Sequence, residues 1–209
     1  MKTCIDAIKS RRSVQFFDQT KDVSKDVLNE ILMLANLSPS SLNLQPWEVI
    51  VVKDMDKKKI LRKCAQNQPK VEEASATLII IANPKALEAN IDRVLDSWIT
   101  LGIMKKESKE IYEKAADKLY TDDYTSKQRA LFAVKNTSFF AMSIMIIAKF
   151  FGIDTHPMDG FDEKSIKENF NIEEYKIIPL LIAIGYKSPN FTLAERAFRR
   201  PLDEFVKYI

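Results

Sequence analysis

Residues 126–151, SKQRALFAVKNTSFFAMSIMIIAKFF, restrict the fold of this chain more than any other stretch. They contain no helix breaker before Gly152, and the second half is apolar on nearly every side. One long helix is predicted, stopped at the glycine, and it needs apolar neighbours all round. A helix of that kind belongs in the middle of something. Its most apolar part, residues 139–152, is interrupted by Ser143 and Lys149 and falls short of the ~20 residues needed to span a bilayer. The expectation is a core helix and no membrane crossing.

The rest of the chain supplies partners for it. Ile5 and Ile8 stand at helical spacing in residues 3–11. A second helix is predicted over 25–37, with Ser24 as its cap and a broad apolar face from Val27 to Ala35. WEVIVVK (47–53) has the β-branched content of a strand, and Asp54 or Asp56 caps a helix reaching Cys64. TLIIIA (77–82) is apolar throughout, as a strand covered on both faces would be. Mostly helix follows Pro84. IIPLLIAIGY (177–186) reads as the last strand, with Pro179 at an edge, at a bulge or in its first residues. Interspersed strands and helices favour a mixed sheet covered by helices. No linker or repeat divides the 209 residues, so a single domain over 1–209 is expected.

The chemistry the chain lacks narrows its function. The four glycines (102, 152, 160 and 185) are never closer than eight residues. A dinucleotide fingerprint and a phosphate-binding P-loop both need clustered glycines, so both are excluded. The single histidine, His156, excludes multi-histidine metal sites, and no metal site is expected. Cys4 and Cys64 lack metal or redox spacing and fit a reducing compartment. The start MKTCIDAIKSRRS has no apolar run of signal-peptide length, so the expected location is cytoplasmic. A net charge of +3, with lysines interleaved among acids, gives no basic stripe for nucleic acid. Any demanding chemistry falls to a bound organic cofactor not held by a glycine loop.

Polar signals gather at five places. SRRSVQFF (10–17) puts Arg11, Arg12 and Ser13 at the end of the first helix. On this stretch alone two readings stand: cations favoured at a helix C-terminus, or guanidiniums gripping a phosphate. SPSSLNLQPWEVIVV (38–52) inserts a proline-stiffened polar segment between two apolar runs. Asn67 and Lys70 flank a proline that suits the start of a short helix, three residues apart and so on one side. HPMDGFD (156–162) carries Gly160, where backbone can approach a ligand closely, and Asp162 as a helix cap. FRRP (198–201) adds a second arginine pair.

In this order, RRS, PSSLNLQPW, Asn67 with Lys70, PMDGFD and FRRP resemble the FMN-dependent, oxygen-insensitive NAD(P)H nitroreductases, over essentially the whole chain. The resemblance implies an α+β fold, a mixed sheet flanked by helices, in an intertwined homodimer. Central helices pack together, and C-terminal arms of about residues 190–209 wrap the partner. It also implies FMN as bound cofactor and NAD(P)H as reductant. Hydride would pass by ping-pong through flavin N5 to a nitroaromatic or related small-molecule acceptor. Alternatives on the same fold are a quinone, enone or flavin reductase, or a non-catalytic flavin-binding protein.

Residue by residue, Arg11, Ser13 and Arg199 are similar to the phosphate and ribityl contacts, with Arg12 beside them. Asn67 and Lys70 match groups on the pyrimidine edge. Asp159 and Gly160 match the pair near N5, and Met158 of the same motif joins the cofactor contacts. Pro39, Ser40, Ser41 and Asn43 would come from the other subunit, as a stiff lip anchored by QPW. Two positions depart from the pattern. Gln15 stands where the family usually has Lys or Arg to stabilise negative charge at N1 and O2 after reduction. A neutral amide there costs about 1–2 kcal/mol, which lowers the two-electron potential by about 20–40 mV. Ala197 stands where a basic residue is usual, leaving Arg196 or Arg200 to substitute.

Overall fold

The computed structural model describes residues 3–120 and 123–209. Its centre is a four-stranded sheet in the order β1-β2-β4-β3, formed by β1 (Trp47–Val52), β2 (Ala76–Ala82), β3 (Asp154–Met158) and β4 (Ile177–Gly185). All three pairings are antiparallel, which corrects the expected mixed sheet. The connection explains the difference. Helices α3 (Met55–Cys64) and α4 (Lys70–Glu73) pack on one another and return the chain to the end where β1 finished, so Val52 faces Thr77. The one parallel pairing among the described residues outside these strands is an isolated bridge, Ser13 to Thr155.

β2 is buried at every position, because helices cover both faces of the sheet. Ile79, Ile81, Leu181 and Ala183 pack on one side with Leu61, Val71 and Ile166 of α3, α4 and α8 (Glu163–Phe170). Leu78, Ile80, Ile182 and Ile184 pack on the other with α2 (Lys25–Ala35) and α7 (Lys127–Phe150). Pro179 lies in the central strand, at the register shift between Ile80 and Ala82 and beyond the last β3 pair at Leu181. Its missing N–H is not required there, so the bulge reading holds and the edge reading does not. β3 was not legible: DTHPM is short, carries a proline and lacks a β-branched run.

The predicted caps are present. Ser24 accepts from Val27 N–H, Asp54 from Lys57 N–H, and Asp162 from Ser165 N–H. Helix α1 (Cys4–Ser10) starts with a capping box between Thr3 and Asp6. It buries Ala7 and leaves Ile5 and Ile8 exposed, the reverse of the expected face.

α7 is 24 residues, about 36 Å long, and by length and composition is apolar enough to cross a bilayer. It also packs against all four strands and buries Arg129, Asn136 and Thr137 along one face, the placement of a core helix. Its other face shows Leu131, Phe139, Met142 and Phe150 to solvent. All-round burial is therefore half met within one chain.

A third cluster joins α5 (Ala86–Thr100), α6 (Lys109–Tyr120) and the first turns of α7 around Leu44, Leu87 and Phe132. Arg129 is its latch. Fully buried, its guanidinium donates to both carboxylate oxygens of Glu88 (3.1 and 3.0 Å) and to the carbonyls of Tyr120 (2.9 Å) and Pro84 (3.2 Å). Replacing Arg129 by Leu strips two carbonyls of a charged donor. The expected loss is about 2–3 kcal/mol, or a melting temperature lower by about 5–10 °C for a chain of this size. An unchanged melting curve contradicts the latch.

Candidate functional site

The sequence-selected residues fall into two groups on different elements. The first begins where α1 ends. Residues 11–15 run beside β3: Ser13 bridges Thr155, and Val14 N–H donates to the Thr155 carbonyl at 3.1 Å. The Val14 carbonyl accepts from His156 Nδ1–H at 3.0 Å, which fixes the tautomer. Beyond β3 the chain turns through Asp159 and Gly160 onto the loop between α3 and α4. There Gln68 Nε2–H donates to the Gly160 carbonyl at 2.9 Å, and Lys70 Nζ donates to Gln68 Oε1 at 3.0 Å. Arg11, Arg12, Ser13, Lys70 and Gly160 thus share one continuous face. Asn67 and Asp159 lie exposed at its edge. Met158 differs: its side chain belongs to the core, so only its backbone is available to a ligand.

The tail returns to this face. Arg12 donates to the carbonyls of Ala194 and Glu195 (2.8 and 3.1 Å), and Arg196 donates to those of Lys9 and Arg11 (2.7 and 3.2 Å). The Arg11 guanidinium is held below its ordinary pKa, first by burial and then by the nearby charges of Arg196, Arg199 and Arg12. None of these four makes an ion pair with an acid among the described residues. Like charges collected without counterions are unfavourable unless an anion joins them. Arg200 instead lies over the Phe205 ring at 5.6 Å. Of the two substitutes considered for Ala197, Arg196 is therefore the one beside Arg11.

Gly160 is informative for what it lacks. Its φ is not in the left-handed region, and the three nearest atoms that an added Cβ would meet all belong to the side-chain amide of Gln66, the closest at 3.0 Å. The missing Cβ leaves the backbone here open to close approach.

The second group is the segment after α2. Ser38 Oγ donates to Ser143 Oγ (2.7 Å), Ser41 N–H to Asn136 Oδ1 (3.0 Å), and Gln45 N–H to Ser40 Oγ (2.9 Å). The hydroxyls of Ser41 and Tyr120 also share a hydrogen bond. Trp47 fixes the far end, donating from Nε1 to Asn36 Oδ1 (2.8 Å) and stacking on Phe140 at 5.1 Å. Pro39 and Asn43 face solvent. This lip rests on α6 and α7 and, among the described residues, shares no hydrogen-bond partner with the cationic face.

Backbone strain marks both groups. Leu42, Asn43 and Gln45 in the lip, and Gln66 and Asn67 in the α3–α4 loop, have positive φ. Such non-glycine conformations cost about 1–3 kcal/mol each and persist where the surroundings impose them. Gln66 and Gln68 were not legible in the sequence, because glutamine marks no motif. Trp98, Tyr112 and Tyr120 pack against other aromatics as ordinary helix packing, and Tyr124 packs on Tyr175 between two turns.

An antiparallel sheet covered by helices, with strained polar segments on two different elements, defines an α+β protein. The Nitroreductase family model matches residues 8–186, and the chain belongs to that family of oxidoreductases. MhqN of Bacillus subtilis, assigned as an NAD(P)H nitroreductase, is 31% identical over 97% of this chain and 97% of its own. The crystal structure of ydfN from Bacillus subtilis, assigned as a nitroreductase, superposes with a TM-score of 0.91 at 30% identity, covering 98% of each chain. A nitroreductase-assigned protein of Exiguobacterium sibiricum, solved in complex with FMN, gives 0.88 at 25% identity, covering 100% of this chain and 98% of that one.

His156 reports on the geometry of the cationic face. Burial lowers its pKa, the Lys70 charge lowers it further, and the Val14 hydrogen bond opposes both. The unfolded chain therefore takes up this proton first as pH falls. Stability is full above the ordinary histidine value of about 6.5 and falls as pH drops from there to the folded pKa. The single histidine gives one ring resonance, expected to titrate below the free value and to shift upward in Lys70→Ala. A free-histidine midpoint unaffected by that change contradicts the contact.

Proposed function

We propose that residues 1–209 form one FMN-binding domain acting as a homodimeric NAD(P)H-dependent reductase of nitroaromatic or related small acceptors. The observation that carries this reading is the cluster of Arg11, Arg12, Arg196 and Arg199, which has no ion-pair partner among the described residues and is continuous with Lys70 and Gly160. That face suits a phosphate at one end and a flat ring at the other. The family and the FMN-bound relative support the choice of cofactor.

The chain's residues then divide the work. Arg11 and Arg199 grip the phosphate with paired donors, while Arg12 and Arg196 hold tail and helix end together beneath them. Ser13 faces the ribityl chain. Lys70 and Asn67 meet the pyrimidine edge, where Lys70, with Gln15 in place of a cation, faces the charge that reduction leaves. Gln68 holds both Lys70 and the Gly160 carbonyl, so the Gly160 N–H is set before the cofactor arrives. FMN, when bound, supplies hydride transfer at N5 from NAD(P)H to the acceptor. Pro39, Ser40, Ser41 and Asn43 of one subunit close over the other subunit's ring and exclude water.

The bare face of α7, with Ile5 and Ile8 beside it, supports a second copy as the missing cover. The tail supports arm exchange over a shorter length than about 190–209. Phe191, Leu193 and residues 194–196 attach to their own chain, whereas Phe198, Leu202, Phe205 and Tyr208 are exposed. Cytoplasmic location is part of the same proposal.

The purified protein is expected to be yellow, dimeric by light scattering, and bleached by NADH or NADPH, with turnover on a nitroaromatic, menadione or free FMN. A colourless monomer that takes up no FMN ends the proposal. Gln68→Leu should weaken FMN binding by about fivefold to tenfold, the value of one or two polar contacts, and Lys70→Ala by at least as much. Gly160→Val should abolish FMN uptake with little change in melting temperature. Normal FMN affinity in all three variants places the cofactor elsewhere.

A further inference from the structure

On the outer side of the lip lies a cavity of about 420 Å3 between the end of α2, the lip and α5. Its walls include Arg93 and Ser97 of α5 with the amides of Asn36, Asn43, Gln45 and Asn90, and contain no carboxylate. The acids flanking Arg93 on its helix, Asp92 and Asp96, are both engaged by Lys109, at 3.1 and 2.7 Å. Arg93 itself makes no hydrogen bond or ion pair among the described residues. Asn36 Oδ1 accepts the Trp47 indole, and the main-chain carbonyl of Asn43 accepts Gln45 Nε2–H. The cavity is lined by the Arg93 guanidinium, the Asn36 and Asn43 NH2 groups, the Ser97 hydroxyl and neutral amide oxygens, and Asn43 and Gln45 are held there at positive φ. A concave wall with an unpaired guanidinium, neutral amides and hydroxyl beside it and no acid suits an oxyanion.

We propose that this cavity binds the diphosphate end of the nicotinamide nucleotide, with Arg93 as the specificity-determining cation. The proposal rests on the reductase reading above, which supplies a phosphate-bearing reactant. Asn43 ties the two together, since it belongs both to the cavity and to the lip laid on the partner's cofactor. A nucleotide anchored at Arg93 extends along the lip toward the ring it must reach. The volume exceeds that of a bare phosphate, and the Asn90 amide oxygen, whose NH2 is spent on the Leu44 carbonyl at 2.8 Å, is left to accept from a ribose or base.

The test is calorimetric titration of ADP into the protein as purified, beside Arg93→Ala and Arg93→Lys. ADP should bind the parent chain with an affinity that falls as salt rises. Arg93→Ala should weaken it by about tenfold, and Arg93→Lys by less, since a point charge replaces a forked donor. In turnover, the KM for NADH and NADPH should rise by a similar factor with kcat and the menadione KM unchanged, and FMN content and melting temperature should stay at parent values. No ADP binding to the parent chain, or equal binding by Arg93→Ala, overturns the proposal. So does a raised KM confined to 4-nitrobenzoate, which would give the cavity to an acidic acceptor. A protein without flavin would defeat the reductase reading, and the ADP titration would still decide whether the cavity binds phosphates.

Discussion

Burial of β2 and β4 on both faces is the constraint on which the rest depends. Two central strands with no polar face must be sandwiched, and the helices that do this are those whose ends carry the polar loops. α3 and α4 cover one side, and the turn between them delivers Gln66, Asn67, Gln68 and Lys70 to one edge of the molecule. α7 covers the other, and its buried Asn136 seats the lip through Ser41. β4 pairs on both sides and so fixes β3 at the sheet edge, where residues 11–15 lie against it. The site loops are therefore consequences of how the sheet is covered. A core substitution that shifted α3 or α7 would move them as surely as a change in the loops.

Strain is distributed in the same pattern. Of the six non-glycine residues with positive φ among the described residues, five are in the lip or the α3–α4 loop, and the sixth, Asn171, ends α8 as a left-handed cap. Five unfavourable conformations confined to two segments cannot come from chance packing alone, because each segment is otherwise free to relax at the surface. They are held by specific bonds: Ser40 to Gln45, Asn90 to the Leu44 carbonyl, Arg62 to the Asn67 carbonyl and Gln68 to the Gly160 carbonyl. Preorganisation of this sort lowers the ordering cost that a ligand would otherwise meet.

What could be read from the sequence follows the range of the interaction. Caps at Ser24, Asp54 and Asp162, the start of α4 after Pro69 and the stop at Gly152 depend on neighbours within a few positions, and each stands as expected. Trp47 as the anchor of the lip came from the resemblance, and its indole N–H bond to Asn36 gives the physical reason. Contacts across long separations were not legible. Nothing in the string links Arg129 to Glu88, 41 positions away, or Gln68 to Gly160, 92 positions away. Ile5 and Ile8 misled in a physical way. Their spacing does mark an apolar face, but within one chain that face is not the one turned to the core.

The same misreading points to how site and assembly depend on each other. One chain leaves apolar surface on α1 and α7 and charge without counterions at Arg11, and both are unfavourable in isolation. An anion on the guanidinium cluster offsets the repulsion that adds to burial in lowering the Arg11 pKa, and cover for α7 removes its leucine and phenylalanines from water. In the proposed dimer both are met by one event, because the lip is seated on α7 and the cofactor lies on the partner's cationic face. Each then stabilises the state that the other needs. Cofactor loading and dimer stability would be linked through α7, with the strained lip as the rigid element between them.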